Sequence, residues 1–396
     1  MIEGTLTDVC TAVVDCKNRT APEDPYGTHF AVGTPAMRGN VINLNEARRI
    51  NDETFAEWTA RLSPQAGDLL FAREAPVGPV VEIPKGISIA PGQRTMLLRA
   101  DPTKANSRFL RYYLISPVTQ ARLHALAHGS TVPHLRLPVV RDFYVSLPEL
   151  PVQKAIADVL GALDDKIAAN TKISQTSNHL ANALFRQTLR NAEFCSDTFA
   201  DLAQVSGGGT PSTKNPNFWD GEVPWATPTD ITSLTGPYLE STSRFISDAG
   251  LNACASGLYP QGSILMTSRA TIGAFAMAQK PTAVNQGFIV VQPHDPELRY
   301  WLFHEMQSRV DEFVSLANGA TFLELSRGNF KKFKVRQAPL DIMRKFNEQA
   351  TALHDTARSA LTENLTLAAT RDALLPQLMS GKLRIKDAEE LVGPRV

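Results

Sequence analysis

Apolar positions along the chain follow two rhythms. Up to about Tyr144 they come in short runs, at 69–71, 80–83 and 95–98, punctuated by Gly and Pro. Such runs predict short strands, tight turns and a few short helices. After Leu150-Pro151 the rhythm lengthens. Ile156, Leu160, Leu163, Ile167, Ile173, Leu180 and Leu184 fall mostly three or four apart, with polar gaps near Asn170 and Ser177. That spacing predicts one amphipathic helix with a coiled-coil-like seam, spanning roughly 55–60 Å. The irregular rhythm resumes near Phe199 and lasts to about Arg336. A second long helix then follows Ala338-Pro339-Leu340, with a seam through Phe346, Ala350, Leu353, Ala357, Leu361, Leu365 and Ala368, and Pro376 and Gly381 punctuate its end.

The alternation of rhythms is a duplication. Gly67-Asp68-Leu69-Leu70-Phe71-Ala72-Arg73-Glu74-Ala75-Pro76-Val77-Gly78 returns as Gly262-Ser263-Ile264-Leu265-Met266-Thr267-Ser268-Arg269-Ala270-Thr271-Ile272-Gly273. Gly92-Gln93-Arg94 returns as Asn285-Gln286-Gly287, and Arg111-Tyr112-Tyr113-Leu114 as Arg299-Tyr300-Trp301-Leu302. A period of half the chain is too long for a solenoid. It predicts an α/β (α+β) chain with two globular domains, at 1–147 and 196–337. Each is followed by a long helix, within 148–195 and 338–384, and 385–396 is left as a tail. A narrow apolar stripe needs a partner. The simplest is the other helix, paired antiparallel about a pseudo-two-fold axis as a spacer; the alternative is that each helix packs on its own domain.

Composition narrows the class. At 43% hydrophobic and 20% charged, the 396 residues describe an ordinary globular protein. No apolar run is long enough for a membrane span, and Met1-Ile2-Glu3-Gly4 does not begin a secretory signal. Cys10, Cys16, Cys195 and Cys254 form no paired metal-ligand spacing and read as reduced thiols, so a cytoplasmic location is expected. Forty basic and forty acidic residues cancel, so any nucleic-acid contact rests on local clusters or on a partner's charge.

Several stretches carry candidate chemistry. Gly207-Gly208-Gly209-Thr210-Pro211-Ser212 lacks the Gly-Lys-Ser/Thr ending of a P-loop; it is either a turn offering backbone N–H groups to a phosphate or a structural turn. Residues 327–336 carry five cations. Lys332, Lys334 and Arg336 are expected on one strand face, opposite Phe333 and Val335, to touch phosphates along with Lys331 or to protect an edge strand. Arg73 and Glu74, with Ser268 and Arg269 in the second copy, suggest side-chain-bearing loops. Gln93, Arg94, Asn285 and Gln286 have the amide and guanidinium chemistry that reads adenine and guanine, or satisfies buried backbone. Thr131, His134, Thr321 and Glu324 lie in paired Gly-x-Thr loops, where a helix cap is the alternative. Trp219 and Trp225 read as core. There is no Asn/Asp-Pro-Pro-Tyr/Phe methyltransferase motif, no nuclease constellation and no His-Glu-x-x-His site.

Together these features resemble the specificity subunit of type I restriction-modification systems. The resemblance rests on Asp15-Cys16-Lys17-Asn18-Arg19-Thr20-Ala21-Pro22, Glu53-Thr54-Phe55-Ala56-Glu57-Trp58, the repeated Gly67-to-Gly78 stretch, Ser206-Gly207-Gly208-Gly209-Thr210-Pro211-Ser212 and Asn285-Gln286-Gly287-Phe288. The helix from Leu150 through Leu163-Asp164-Asp165-Lys166 is similar to the family's central conserved region. Nearly the whole chain is covered. The resemblance implies a non-catalytic subunit whose two target recognition domains read the halves of a split site on double-stranded DNA. Arg73, Glu74, Gln93, Arg94, Thr131 and His134 would contact one half. Thr210, Ser268, Arg269, Asn285, Gln286, Thr321, Lys331, Lys332 and Lys334 would contact the other. It further implies that the helices dock two modification subunits, through Gln153, Lys154, Asp158, Asp164, Asp165 and Lys166 in the first. Those subunits would hold S-adenosylmethionine, and restriction subunits would hold ATP and Mg; this chain would hold no cofactor. The second helix departs from the pattern, with Leu353-His354-Asp355-Thr356 in place of Leu-Asp-Asp-Lys, so unequal docking surfaces are expected. The rivals are a self-contained methyltransferase or nuclease, which lacks its motif, and an adaptor of another phage-defence assembly or an orphan subunit.

Overall fold

The computed structural model describes residues 1–129, 131–317 and 323–393. It divides into two compact units, Met1–Ile167 with Leu365–Val396, and Ala168–Asn364. Both boundaries fall inside the long helices, Leu150–Thr188 and Leu340–Met379. Each unit therefore contains one globular domain and a stretch of both helices.

The duplication holds strand by strand. In the first unit a four-stranded antiparallel sheet runs Cys10–Asp15, Thr95–Ala100, Leu69–Arg73, Val77–Glu82. Beside it lie a three-stranded sheet (Arg48–Ile50, His29–Val32, Ile89–Pro91) and a pair joining Ile2–Thr5 to Tyr144–Leu147. In the second unit the corresponding sheets are Ala203–Gly207, Phe288–Pro293, Ile264–Thr267, Phe275–Ala278, extended by Tyr238–Leu239; then Arg244–Ile246, Trp219–Ala226, Ala283–Val284; then Glu193–Thr198 with Lys334–Gln337.

The unbroken apolar runs of the repeat are central strands covered on both faces, where alternation disappears. Leu69 and Phe71 face one core with Val80, Met96 and Leu98. Leu70 and Ala72 face another with Val81 and Leu97. In the second unit Ile264 and Met266 divide from Leu265 in the same way.

Within each unit the two helices pack antiparallel. Leu160 and Leu163 share the first unit's core with Leu367, Leu374 and Leu378. Phe185 shares the second unit's core with Phe346, Ala350 and Ala357. The seam differs from the expected one in places. Ile173, Leu180 and Leu365 are 44%, 49% and 63% exposed. The inward row of the first helix is instead Asn170, Ser174, Ser177, Ala181 and Phe185, all buried. The partner helix meets part of this row with polar groups: Asn170 donates to Glu363 at 2.7 Å and, beside it, Asn364 to Thr171 at 3.1 Å, while the small Ser174 hydroxyl is buried with no hydrogen-bond partner among the described residues. The expected tail is also corrected in part. Ile385–Val392 is a helix whose Ala388 and Val392 join the first unit's core.

Among the described residues no helix is long and apolar enough to cross a membrane.

Candidate nucleic-acid interface

In the first domain, the loop after strand Leu69–Arg73 is held by the loop that contains His128 and His134. Leu135 N–H donates to Arg73 C=O at 2.8 Å, and His128 and His134 exchange backbone bonds at 2.9 Å each. Gly129 turns that loop at φ +100, where a side chain would press on the Val132 carbonyl. Against this platform lies 92–94. The Thr20 hydroxyl donates to Gln93 Oε1 at 3.0 Å, and Arg94 Nε lies 3.4 Å from Glu74 Oε1. Arg94 (φ 71) and Ala75 (φ 48) hold left-handed backbone, a strain that structures retain where surroundings over-determine it, commonly at functional loops. Thr20, Ala75, Gln93 and Arg94 line a cavity of about 260 Å³. Arg73 itself is turned inward, its side chain 12% exposed and paired with Asp15 at 3.3 Å. Thr131 is exposed.

The second domain repeats the arrangement. Leu325 N–H donates to Ser268 C=O at 2.9 Å and Ala270 N–H to Leu323 C=O at 3.1 Å. The Thr210 hydroxyl donates to Gln286 Oε1 at 2.5 Å. Arg269 Nη2 meets Glu324 Oε1 at 2.8 Å, and Ala270 stands at φ 60. Arg269 and Gln286 form the wall between two cavities, of about 440 and 340 Å³. Ser268 is buried, and the side-chain Oδ1 of Asn285 accepts from Gly287 N–H at 2.8 Å, so both shape the loop. Thr321 lies outside the described residues.

The glycine run is a close backbone passage beside Ala283–Val284 and not the expected turn. A side chain on Gly208 would collide with the Val284 and Asn285 carbonyls, so only glycine lets this segment pass and bring Thr210 to Gln286. The Gly209 N–H is taken by Val284 C=O at 3.1 Å, and its carbonyl by the Trp225 indole at 3.0 Å. Trp225 is core, with Trp219 edge-on to it at 5.1 Å.

The cationic stretch is only partly a strand. Arg327–Lys331 is a short helix, and the strand begins at Lys334. Lys331, Lys332 and Lys334 are exposed, while Phe333 and Val335 are buried. Arg336 does not join a cationic face. It pairs with Glu305, itself fully buried, at 2.8 Å, and Arg309 binds the same carboxylate at 3.1 Å. A buried carboxylate needs such partners, and this network draws Arg336 inward.

On the first long helix, Gln153 is fully buried: it accepts from Asn106 N–H at 2.8 Å and donates to the Lys104 and Pro148 carbonyls. It ties the helix to its own domain and is not offered outward, contrary to expectation. Asp164 also faces inward, bonded to Arg111 (2.9 Å), Tyr112 Oη (2.6 Å) and Arg371 (2.7 Å). Burial opposes its charge, but Arg111, Tyr112 and Arg371 outweigh that and hold its carboxyl below the usual range. Lys154, Asp158 and Asp165 are exposed, with Asp165 paired to Arg108, and Lys166 is half-buried. In the second unit His354 takes the place of Asp164. It is buried, 3.0 Å from His304 through their Nε2 atoms and 2.7 Å from the Tyr238 hydroxyl. The departure from Leu-Asp-Asp-Lys therefore changes how domain and helix are joined within that unit.

The family model for the type I restriction modification DNA specificity domain matches residues 3–177 and 196–362. The chain belongs to this family. Each match spans one copy of the repeat and runs into the long helix that follows it. Among its relatives is the MjaIX specificity subunit of Methanocaldococcus jannaschii, 34% identical over 137 residues, 34% of this chain and about a third of that one. The HindI specificity subunit of Haemophilus influenzae is 24% identical over 355 residues, covering 69% of this chain and 77% of that one. The fold is that of a type I S subunit from M. genitalium (TM-score 0.58, 16% identity, 95% of each chain).

Residue reading of this specificity-domain chain missed the role of Thr20, which fixes Gln93 as Thr210 fixes Gln286. The signal was available, since Thr20-Ala21-Pro22 and Thr210-Pro211 stand at matching places in the two copies. The Glu305–Arg309–Arg336 network had no such signal, because its members share no period.

Proposed function

We propose that the chain is the DNA-reading, non-catalytic specificity subunit of a type I restriction-modification complex. The observation that carries this is the duplicated loop surface of a family member, with Thr20–Gln93 in one domain and Thr210–Gln286 in the other. Amide and guanidinium groups on strand-supported loops suit the major-groove edges of bases. Two such surfaces in one chain suit a site of two short words around an unread gap. Lys331, Lys332 and Lys334 would add phosphate contacts to the second.

In this reading the helices set the separation of the words, roughly one DNA turn or about 34 Å, and dock two modification subunits. Within the first unit the exposed Lys154, Asp158, Asp165 and Leu365, and within the second the exposed Ile173 and Leu180, are candidates for that docking. The modification subunits would bring S-adenosylmethionine, and any restriction subunits ATP and Mg. The neutral net charge fits a chain that relies on partners for much of its attraction to DNA.

The test is long-read methylome sequencing of the host with and without the gene. Loss of one bipartite adenine-methylated motif is expected. An unchanged methylome, with the modification genes expressed, points to an adaptor or orphan. Inserting a helical turn after Leu150 should change the gap and leave both words intact; changed words with an unchanged gap would refute the spacer role.

A further inference from the structure

Each reading surface carries one partly exposed arginine paired with one glutamate, but the two pairs are built from different positions of the repeat. In the first domain the arginine follows the Thr-held glutamine (Arg94) and the glutamate stands on the strand loop (Glu74). In the second, the residue after the glutamine is Gly287. The strand loop now supplies the arginine, Arg269, and the loop opposite supplies the glutamate, Glu324, where the first domain has His134. The same constellation of glutamine, arginine and carboxylate has been reassembled from non-equivalent residues.

Fold stability does not account for this. The pairs are partly exposed, at 41% and 27% for Arg94 and Glu74, and 43% and 44% for Arg269 and Glu324, and such pairs contribute little to folding. Both lie beside strained loop residues and at the edge of cavities. Arg269 Nε has no hydrogen-bond partner among the described residues although it is shielded from solvent. The carboxylate occupies only part of a guanidinium that has five donors.

We propose that Arg94–Glu74 and Arg269–Glu324 are the readers of one G·C base pair in each half of the DNA site. The guanidinium donates to guanine O6 and N7, and the carboxylate accepts from the cytosine N4 amino group. The carboxylate also repels the O4 of a thymine, so the pair selects by attraction and by exclusion. Between base pairs it holds the arginine in place, which lowers the ordering needed on binding. The inference rests on the DNA-reading function proposed above.

The experiment uses the full-length gene in its host, with the partner subunits present, and reads the methylated motif by long-read sequencing. Both words are expected to contain a G·C pair. R269Q and E324Q should each relax one G·C position of one word by about tenfold or more, leaving the other word intact. R94Q and E74Q should do the same in the other word. A wild-type motif lacking G·C in either word overturns the proposal. So does R269Q altering no position, or lowering methylation equally at all sites, which would mark a phosphate contact. If R269Q does not accumulate, R269K keeps the charge and loses the planar fork; full retention of guanine selectivity by R269K overturns the proposal. Failure of the underlying function is separately visible, as a methylome unchanged when the wild-type gene is deleted.

Discussion

The Nε2 atoms of His304 and His354 lie 3.0 Å apart in the second unit's core. One proton arrangement satisfies both rings. His304 Nδ1–H donates to Asn182 Oδ1 at 2.8 Å, one proton lies between the two Nε2 atoms, and His354 Nδ1 lies 2.7 Å from the Tyr238 hydroxyl, which also reaches Asn178 Oδ1 at 3.2 Å. Tyr300 stacks on His354 with centroids 4.4 Å apart. Burial lowers His304 to about 4; burial, then the neighbouring His304, lowers His354 to about 3. A second proton would set one N–H against another.

The pH consequence has a definite sign. Both folded-state values lie below the ordinary 6.5, so the unfolded chain takes up protons first. Stability is fully present above about pH 6.5 and falls as pH drops toward 4. Below the unfolded value, each group costs about 1.4 kcal/mol for every further pH unit until it protonates in the folded chain. The pair should therefore cost on the order of a few kcal/mol by pH 4.5. Urea unfolding at pH 7.5, 6.5, 5.5 and 4.5 checks this, and the double variant H304F/H354F should flatten the profile. A wild-type curve already flat between pH 6.5 and 4.5 would contradict it.

Asp164 does the corresponding work in the first unit with charge. Arg111 is 8% exposed, and it, Tyr112 and Arg371 all converge on this carboxylate. Asp164→Ala removes the common partner and leaves cations facing a partly buried site. Breaking a buried pair from one side typically costs about 3–5 kcal/mol. Thermal unfolding should therefore drop well beyond what Asp165→Ala causes, since Asp165 is exposed. Equal small shifts for the two variants would show that the network carries no stability.

Much of the architecture was legible because it is periodic or repeated. Both long helices start where Leu150 and Leu340 follow a proline-containing segment, and both copies of the Gly-to-Gly strand loop fold alike. The helix seam was legible only where it is apolar. Ile173, Leu180 and Leu365 were assigned inward because apolar residues usually are, whereas Asn170 takes that place with a side-chain bond to Glu363, and the small Ser174 and Ser177 are buried beside it. At the proposed reading surface, residue type singled out Gln93, Arg94, Arg269 and Gln286 as candidates. It could not separate them from Arg73, Ser268 and Asn285, which tertiary contacts turn to structural use.

The lysines after Arg327 should behave differently from the arginines of the reading loops. Lys331 lines the same cavity as Arg269 but is exposed and outside the strand. A flexible ammonium suits phosphate, which carries no sequence information. Lys331→Gln and Lys334→Gln should each weaken DNA binding of the assembled complex alike on all sequences. Each should also reduce the magnitude of the slope of log K against log salt by about 0.9. A change of preferred sequence without a change of slope would reverse the assignment.

Ile173 and Leu180 stand one heptad apart on the first long helix and face solvent, while the inward row beside them is small and polar. Their packing contributes little to the unit that carries them, so Ile173→Glu and Leu180→Glu should leave thermal unfolding within about 0.5 kcal/mol of wild type. If modification subunits cover this face, the same changes put two carboxylates into an apolar contact, where each unpaired charge is strongly unfavourable. Co-purification of modification subunits should then fall by at least about tenfold, a loss of only about 1.4 kcal/mol, with the chain still folded. Undiminished assembly by the double variant would move the docking surface elsewhere on the helices.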